Sequence, residues 1–325
     1  MDKIKFGILG CGTIAKRFTK ALYKSGCAVP YACAARDLSR AESFASENAE
    51  EGHRILAYGS YQALLDNPEI RAVYIATVNS THADIAKMAI LSGKAVICEK
   101  PFFIHAKDAE ETIALAREKQ VLMMEGFWTR TLPAYLKAKE WIKAGKIGDV
   151  TLIRAAFCFN IPYNEYTKDN RLFDPKTGGG AFFDVGVYNY EYVTGIMEAE
   201  PVEVQYLKQN TVTGVDGATA LIMKFENGAV ADTLSGINGY MEDTGIISGT
   251  KGFIKQYCYW GCKKTELYTG RSPEPEEVFT DDESEGFVHE IRHFVNLLKE
   301  GKTESDLIPL QDTLNYVKRA EEILS

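Results

Sequence analysis

Ile4-Lys5-Phe6-Gly7-Ile8-Leu9-Gly10-Cys11-Gly12-Thr13-Ile14-Ala15 is the stretch that decides the fold. Six mostly apolar residues read as a buried strand. The glycines that follow spell G-x-G-x-x-A, and Thr13 opens a segment with Ile14, Phe18, Ala21 and Leu22 on one helical face. Gly10 permits a tight turn, and Gly12 leaves room for a pyrophosphate to approach the backbone. Ala15 is small enough for helix to pack on strand, and the helix N-terminus favours an anion. The pattern is weak alone. Between a strand and a helix it predicts a dinucleotide site formed by Gly10, Gly12, Thr13, Ile14 and Ala15.

Outward from this turn the unit repeats. Gly26 stands where a left-handed helix cap belongs. Residues 28–35, 55–59, 72–77, 95–99 and 121–127 read as strands, and 38–48, 60–65, 83–92 and 106–119 as helices. Strands alternating with helices of this length predict a doubly wound parallel sheet of about six strands, an α/β Rossmann domain over 1–127. From about residue 149 strand follows strand: 149–159, 202–209, 218–225, 229–237, 243–257 and 264–270. Glu226-Asn227-Gly228 is a hairpin turn, because Asn-Gly tolerates positive φ. Residues 128–325 therefore read as an α+β domain with a large, mostly antiparallel sheet, closed by helices at 286–299 and 309–324, the last able to pack back on the first domain. Residues 160–180 read as a loop over a cleft and 271–285 as an exposed excursion.

Composition narrows the function. Of 325 residues, 37 are Lys or Arg and 45 Asp or Glu, a formal charge of −8 that argues against nucleic acid or an anionic membrane as partner. No apolar run approaches the roughly 20 residues that span a bilayer, and the N-terminus lacks a signal-peptide pattern. Seven cysteines, an odd number without a C-x-x-C pair, suggest reduced thiols in a cytoplasmic protein. Cys258 and Cys262 have no matching pair of ligands for a metal.

The cofactor's identity rests on the end of the second strand. An NAD enzyme carries Asp or Glu there. This chain has Arg36 followed by Asp37, and a guanidinium suits a 2′-phosphate by charge and bidentate geometry. NADP is expected in preference to NAD; the alternative is a solvated Arg36 with Asp37 on the ribose. Glu99-Lys100-Pro101 ends the fifth strand, at the edge where ligands of such sheets bind. Gly178-Gly179-Gly180 leads into a helix and lets the backbone approach a ligand; Asp184 and Tyr188, four apart, share a helical face. Hydride transfer to a carbonyl needs a proton donor at oxygen, and a tyrosine hydroxyl near Lys⁺ serves, since the charge favours the phenolate. Tyr188 as a core residue is the competing reading.

Together these motifs resemble the glucose–fructose oxidoreductase / inositol dehydrogenase (Gfo/Idh/MocA) family over nearly the whole chain. The resemblance rests on the glycine turn, Thr77-Val78-Asn79-Ser80-Thr81-His82, Glu99-Lys100-Pro101, Gly178 to Tyr188, and Ser248-Gly249-Thr250-Lys251-Gly252. Ala34 to Ala41, Glu125 to Arg130 and Thr213 to Asp216 are most similar to its dimeric dihydrodiol dehydrogenase branch. It implies an NAD(P)-dependent dehydrogenase acting on a secondary hydroxyl of a sugar, cyclic polyol or trans-dihydrodiol. It further implies that Lys100 contacts substrate and nicotinamide ribose, that Tyr188 is the proton donor or acceptor, and that Asp184 binds near the reacting hydroxyl. Thr77, Asn79 and His82 are implied to touch the cofactor, with Arg36, Arg40 and Glu99 also on it, and Trp128 and Arg171 bordering the nicotinamide pocket. A homodimer or dimer of dimers, formed on the open face of the antiparallel sheet, is implied as well. Val78 departs from the proline common at that position, and Tyr188 from the histidine of many members.

Two further readings compete. A cofactor-sensing regulator of the same fold would need neither Lys100 nor Tyr188 for chemistry. His289-Glu290-Ile291-Arg292-His293 spells H-E-x-x-H, a zinc motif when on a helix, but no third ligand is evident and no metal is expected.

Overall fold

The computed structural model describes residues 3–283 and 285–325; Met1, Asp2 and Ser284, the last in the expected excursion, lie outside the described residues. The chain divides into two compact units, 1–127 with 287–317, and 128–286 with 318–325.

The first unit alternates β1 (Ile4–Leu9), α1 (Thr13–Ser25), β2 (Ala28–Ala34), α2 (Leu38–Asn48), β3 (Leu56–Tyr58), α3 (Tyr61–Leu65), β4 (Ala72–Ile75), α4 (His82–Leu91), β5 (Ala95–Glu99), α5 (Ala106–Lys119) and β6 (Met123–Gly126). Among the described residues the strands form one sheet in the order β3-β2-β1-β4-β5-β6, all parallel. The order reverses beside β1, so the β1–α1 turn opens at the crevice where such sheets bind ligands. Local chemistry sets the boundaries. α1 buries Ala15, Phe18, Ala21 and Leu22 and stops at Gly26, left-handed at φ 74°. Asp37 caps α2 by accepting from the Ser39 amide at 2.9 Å, and Ser60 caps α3.

The second unit holds α6 (Pro133–Lys143), β7 (Val150–Cys158), α7 (Val187–Met197), β8 (Glu203–Asn210), β9 (Asp216–Lys224), β10 (Val230–Gly236), β11 (Thr244–Gly249), β12 (Gly252–Tyr257), β13 (Lys264–Thr269) and β14 (Glu277–Thr280). Its sheet runs β14-β13-β12-β11-β7-β10-β9-β8, antiparallel except where β10 lies parallel to β7. α6 and α7 cover one face. The other leaves Leu152, Leu207 and Ile222 at 58%, 81% and 51% exposure. Inside this unit the Arg130 guanidinium pairs with Glu191 at 2.7 Å, both side chains buried.

Three sequence expectations change. The single strand expected over 243–257 is the hairpin β11–β12, turning at Thr250-Lys251. The excursion over 271–285 contains β14, which pairs with β13. The closing helix α8 (Phe287–Lys299) groups with the first unit rather than with 128–325, while α9 (Leu310–Leu324), expected to be able to pack back, has 310–317 with the first unit and 318–324 with the second. The reason is aromatic: Phe287 meets Phe18 edge-on at 5.6 Å, Phe294 packs on Phe6, and Phe18 stacks on Tyr74. Truncating such a ring costs about 3–5 kcal/mol. Phe287 is therefore a core residue of the first unit.

Candidate functional site

The glycine turn follows β1 directly. Gly10 is left-handed at φ 99°, and a Cβ there would lie 2.6 Å from the Ala76 carbonyl oxygen. Gly12 is different: it begins α1 in an ordinary extended conformation, and a Cβ would meet no described atom within 4 Å. No described side chain caps α1, so its first amides face that space, with Thr13 and Ile14 opening the helix and Ala15 buried beneath. An anion fits there by dipole and amide donation.

At the end of β2 the structure gathers a cationic cluster. Arg36, Arg40 and Cys11 all act electrostatically on the Tyr61 hydroxyl, whose pKa burial raises. A cleft of about 220 Å³ is lined by Cys11, Lys16, Ser39 and Arg40. Asp37, the alternative ribose ligand, is instead occupied in capping α2. Tyr61 was not singled out from sequence; only the pairing of β2 with β3 brings it beside Arg36.

The implied cofactor contacts after β4 sort into two kinds. Thr77 and Asn79 are half-exposed, the Thr77 hydroxyl accepting from Thr81 at 2.8 Å. His82 is buried, its Nδ1 3.1 Å from the Pro101 carbonyl and its Nε2 3.2 Å from the Thr77 carbonyl. It ties the loop after β4 to the loop after β5, so its geometry is that of a positioning residue. Glu99 is likewise buried and accepts from the Tyr74 hydroxyl; burial raises its carboxyl pKa, while that bond and Lys100 oppose the rise. Lys100 follows it, half-exposed, at the C-terminal edge of the sheet. Glu125 was missed as a support: its carboxylate accepts from the Phe102 amide at 2.9 Å and the Thr313 hydroxyl at 2.7 Å, fixing the backbone just past Lys100.

In the second unit, residues Phe182–Gly186 form a π-helical turn before α7, where a plain α-helix was expected. Such turns recur at functional sites. Asp184 sits in it, and the two terminal guanidinium nitrogens of Arg171 donate to its Oδ1, at 3.5 and 3.4 Å. Tyr188, half-exposed, lies 5.5 Å from Phe157 and 6.3 Å from Trp260 by ring centroids. Phe157 stacks on Trp260, and Trp260 on the mostly buried Trp128. The result is an aromatic wall that carries one phenol.

The glycine run serves a purpose the sequence did not show. Gly179 lies against its own loop, where a Cβ would be 2.8 Å from the carbonyl oxygens of Arg171, Leu172 and Asp174. Gly180, at φ 113°, abuts Asp216. Asp216 is buried and accepts from the Phe182 amide at 2.8 Å and the Thr219 hydroxyl at 2.6 Å, anchoring the π-helical turn from a strand 34 residues later.

The H-E-x-x-H segment of α8 is built into the first unit. Glu290 is fully buried, its charge felt by Tyr74, and His293 Nε2 meets the Ser305 hydroxyl at 2.8 Å. Among the described residues no cluster of three or more His, Cys, Asp or Glu suited to a metal occurs, and no helix is long and apolar enough to cross a membrane.

Comparison with known proteins adds the following. Residues 4–127 match the family profile described as "Oxidoreductase family, NAD-binding Rossmann fold", and residues 135–255 that described as "GFO/IDH/MocA C-terminal domain". The chain is 32% identical to a trans-1,2-dihydrobenzene-1,2-diol dehydrogenase of Xenopus tropicalis, covering 98% of this chain and 97% of that one. It is 30% identical to the mouse protein of the same name, over 98% and 95%. Among solved structures, an aldose-aldose oxidoreductase from Caulobacter crescentus complexed with glycerol superposes with a TM-score of 0.86 at 23% identity, over 99% and 96% of the two chains. A levoglucosan dehydrogenase in complex with NADH and levoglucosan superposes at 0.84 and 21%, over 99% and 96%. These two likenesses concern the fold.

Proposed function

Because the chain belongs to the Gfo/Idh/MocA family and is an oxidoreductase with an NAD-binding Rossmann fold, we propose that it is an NADP-dependent dehydrogenase. Its substrate is a secondary alcohol on a ring: a sugar, a cyclic polyol or a trans-dihydrodiol. The observation that carries this reading is the phenol of Tyr188 set in an aromatic wall, four residues from an Asp184–Arg171 pair. Flat aromatic surface suits the apolar face of a ring, and the polar pair suits its hydroxyls.

The open space at Gly12 and the uncapped α1 N-terminus support the dinucleotide site, and Arg36, Arg40 and Tyr61 are assigned to a 2′-phosphate. NADP is favoured over NAD because Arg36 and Arg40 are exposed while Asp37 caps its helix. Thr77, Asn79, Glu99, Trp128 and Arg171 are assigned to the nicotinamide half, and His82 to holding their loops. When bound, the nicotinamide supplies or takes up the hydride. Tyr188 gives or takes the proton at the substrate oxygen through its hydroxyl. Lys100 stabilises negative charge developing on that oxygen, and Asp184 orients the hydroxyl that bears it. A donor of this kind contributes about 10²–10⁴ in rate, and a preorganised charge about 2.7–4 kcal/mol.

The open sheet face, with Leu152, Leu207 and Ile222 exposed, supports assembly as a homodimer or a dimer of dimers. The free thiols support a reducing compartment, the cytoplasm.

The test is nicotinamide absorbance with NADP and NAD against aldoses, glycosides, inositols and trans-dihydrodiols. Turnover is expected on at least one ring alcohol, with NADP preferred. Tyr188→Phe is expected to lose about 10²–10⁴ in kcat with little change in cofactor affinity. Arg36→Ala is expected to weaken NADP about tenfold relative to NAD. Turnover untouched in both Tyr188→Phe and Lys100→Ala sinks the mechanism.

A further inference from the structure

The short 3-10 turn Tyr259–Gly261 carries Trp260 of the aromatic wall, and the chain enters it through Cys258 in a left-handed conformation, φ 45°. A residue with a Cβ adopts that conformation at a cost, so the surroundings must hold the turn in place. Hydrogen bonds within the second unit do so. Asp243 accepts from the indole nitrogen of Trp260 at 3.1 Å, and the Thr129 hydroxyl donates to the Trp260 carbonyl at 2.7 Å. A further hold comes from α7, where the Tyr259 hydroxyl donates to Oδ1 of Asn189. Both of these residues are fully buried. Burial lifts the Tyr259 pKa well above its ordinary value, so the hydroxyl keeps the proton it donates.

Asn189 is suited to this hold because its amide is fully committed. The nitrogen donates to the Leu234 carbonyl at 3.1 Å and to the Ser235 hydroxyl at 2.8 Å, both on β10, which leaves Oδ1 to accept from Tyr259. Ser235 lies beside Phe157 in the register of β10 on β7, and Phe157 stacks on Trp260 at 4.8 Å. The chain neighbours complete the pattern. Tyr188 precedes Asn189, Trp260 follows Tyr259, and the rings of Tyr188 and Trp260 meet edge-on at 6.3 Å. Two dipeptides are thus joined twice: Asn189 to Tyr259 by a buried hydrogen bond, and Tyr188 to Trp260 by their rings.

We propose that Asn189 and Tyr259 are positioning residues whose hydrogen bond holds the Tyr188 phenol and the Trp260 indole in their edge-on arrangement, so that a ring seated on the wall presents its oxygen to the phenol. Neither residue touches the reacting atoms. The consequence for turnover rests on the dehydrogenase reading; the hold on the two rings does not. Without the bond, the turn bearing Trp260 is free to shift against α7 while Asp243 and Thr129 still retain it. A misplacement of about 1 Å at a reacting group costs about a hundredfold in rate, and the loss of one hold among several should cost less, about tenfold.

The test compares Tyr259→Phe with Tyr192→Phe in the full chain. Tyr192 also lies on α7 and is fully buried; its hydroxyl donates to Gln256 at 2.7 Å, and its ring lies 4.7 Å from that of Tyr259. Each variant loses a buried hydroxyl from the same core, so a purely structural role makes the two behave alike. Near-ultraviolet circular dichroism reads the rings without substrate, with Trp260→Phe identifying the Trp260 band on the long-wavelength side of tyrosine absorption. Tyr259→Phe is expected to lose much of that band, and Tyr192→Phe to keep it. On a ring alcohol that the wild type turns over, Tyr259→Phe is expected to lose about tenfold in kcat, with KM and NADP affinity within about twofold, and Tyr192→Phe to match the wild type. An intact band or an unchanged kcat in Tyr259→Phe overturns the proposal, as do equal losses in the two variants. A wild type without turnover overturns the dehydrogenase reading instead, and the Trp260 band then decides the proposal alone. Should Tyr259→Phe fail to fold, Ser235→Ala, which weakens the other end of the Asn189 amide, is read in its place against the same expectations.

Discussion

Gly10–Gly12 and Gly178–Gly180 look alike in the sequence, each a glycine-rich entry to a helix, yet Gly12 and Gly179 use the absent side chain for opposite purposes. At Gly12 the missing side chain leaves empty space outside the fold, and at Gly179 it leaves room for the chain itself. A Cβ at Gly12 would touch no described atom within 4 Å, whereas one at Gly179 would meet three carbonyl oxygens at 2.8 Å. The first is built for a ligand and the second for a loop. Glycine as a residue type is thus a poor guide to function until the atoms around the absent Cβ are known. The contrast can be broken by substitution.

The largest effect is expected at Gly179. In Gly179→Ala the methyl cannot be accommodated without moving the Arg171–Asp174 backbone. The loss should reach about 3 kcal/mol, read as a large fall in melting temperature by circular dichroism. A variant that melts with the wild type would show that this loop yields easily and that the glycine run is not structural.

Gly12→Ala should do the reverse. Its backbone, at φ −93°, suits any residue, so stability should stay within about 0.5 kcal/mol of wild type. NADP binding, followed by calorimetry, should weaken about tenfold, or about 1.4 kcal/mol. Unchanged affinity would remove the glycine turn from the cofactor site; lost stability would make it resemble Gly179 after all.

The same contrast explains what the sequence made legible. The first unit was readable nearly element by element, because each strand and helix is specified by neighbours in the chain: apolar runs, Asp37 and Ser60 as caps, Gly26 as a stop. The Gfo/Idh/MocA resemblance also stood on local motifs. What escaped depends on distant partners. Tyr61 gains its meaning only when β3 is laid on β2. α8 shows an amphipathic pattern, but the unit it joins is decided by Phe6 and Phe18 near the other end of the chain. α6 went unread because two of its buried positions, Ala134 and Ala138, are small and carry little periodic signal. The π-helical turn needs Asp216, and no pattern within residues 178–188 announces a carboxylate 34 positions downstream.

Asp216 carries the smallest expected effect and the one that best resolves how the second glycine region is held. Its carboxylate is buried against Gly180, and desolvation raises its pKa despite the bonds from Thr219 and the Phe182 amide. A folded-state pKa above the unfolded one favours the protonated acid in the fold. The stability it adds is complete below the ordinary value of 3.8 and is lost as pH rises through the folded value. Asparagine keeps an acceptor oxygen for the Phe182 amide and does not titrate. Asp216→Asn should therefore cost on the order of 1 kcal/mol in acid, where the wild type is protonated, and less as pH rises. Melting curves of both proteins from acid to neutral pH measure this directly. A gap that widens with rising pH would mean the two hydrogen bonds outweigh burial and hold the carboxyl as a stable anion. The π-helical turn bearing Asp184 would then be pinned by a charge rather than by a neutral acid.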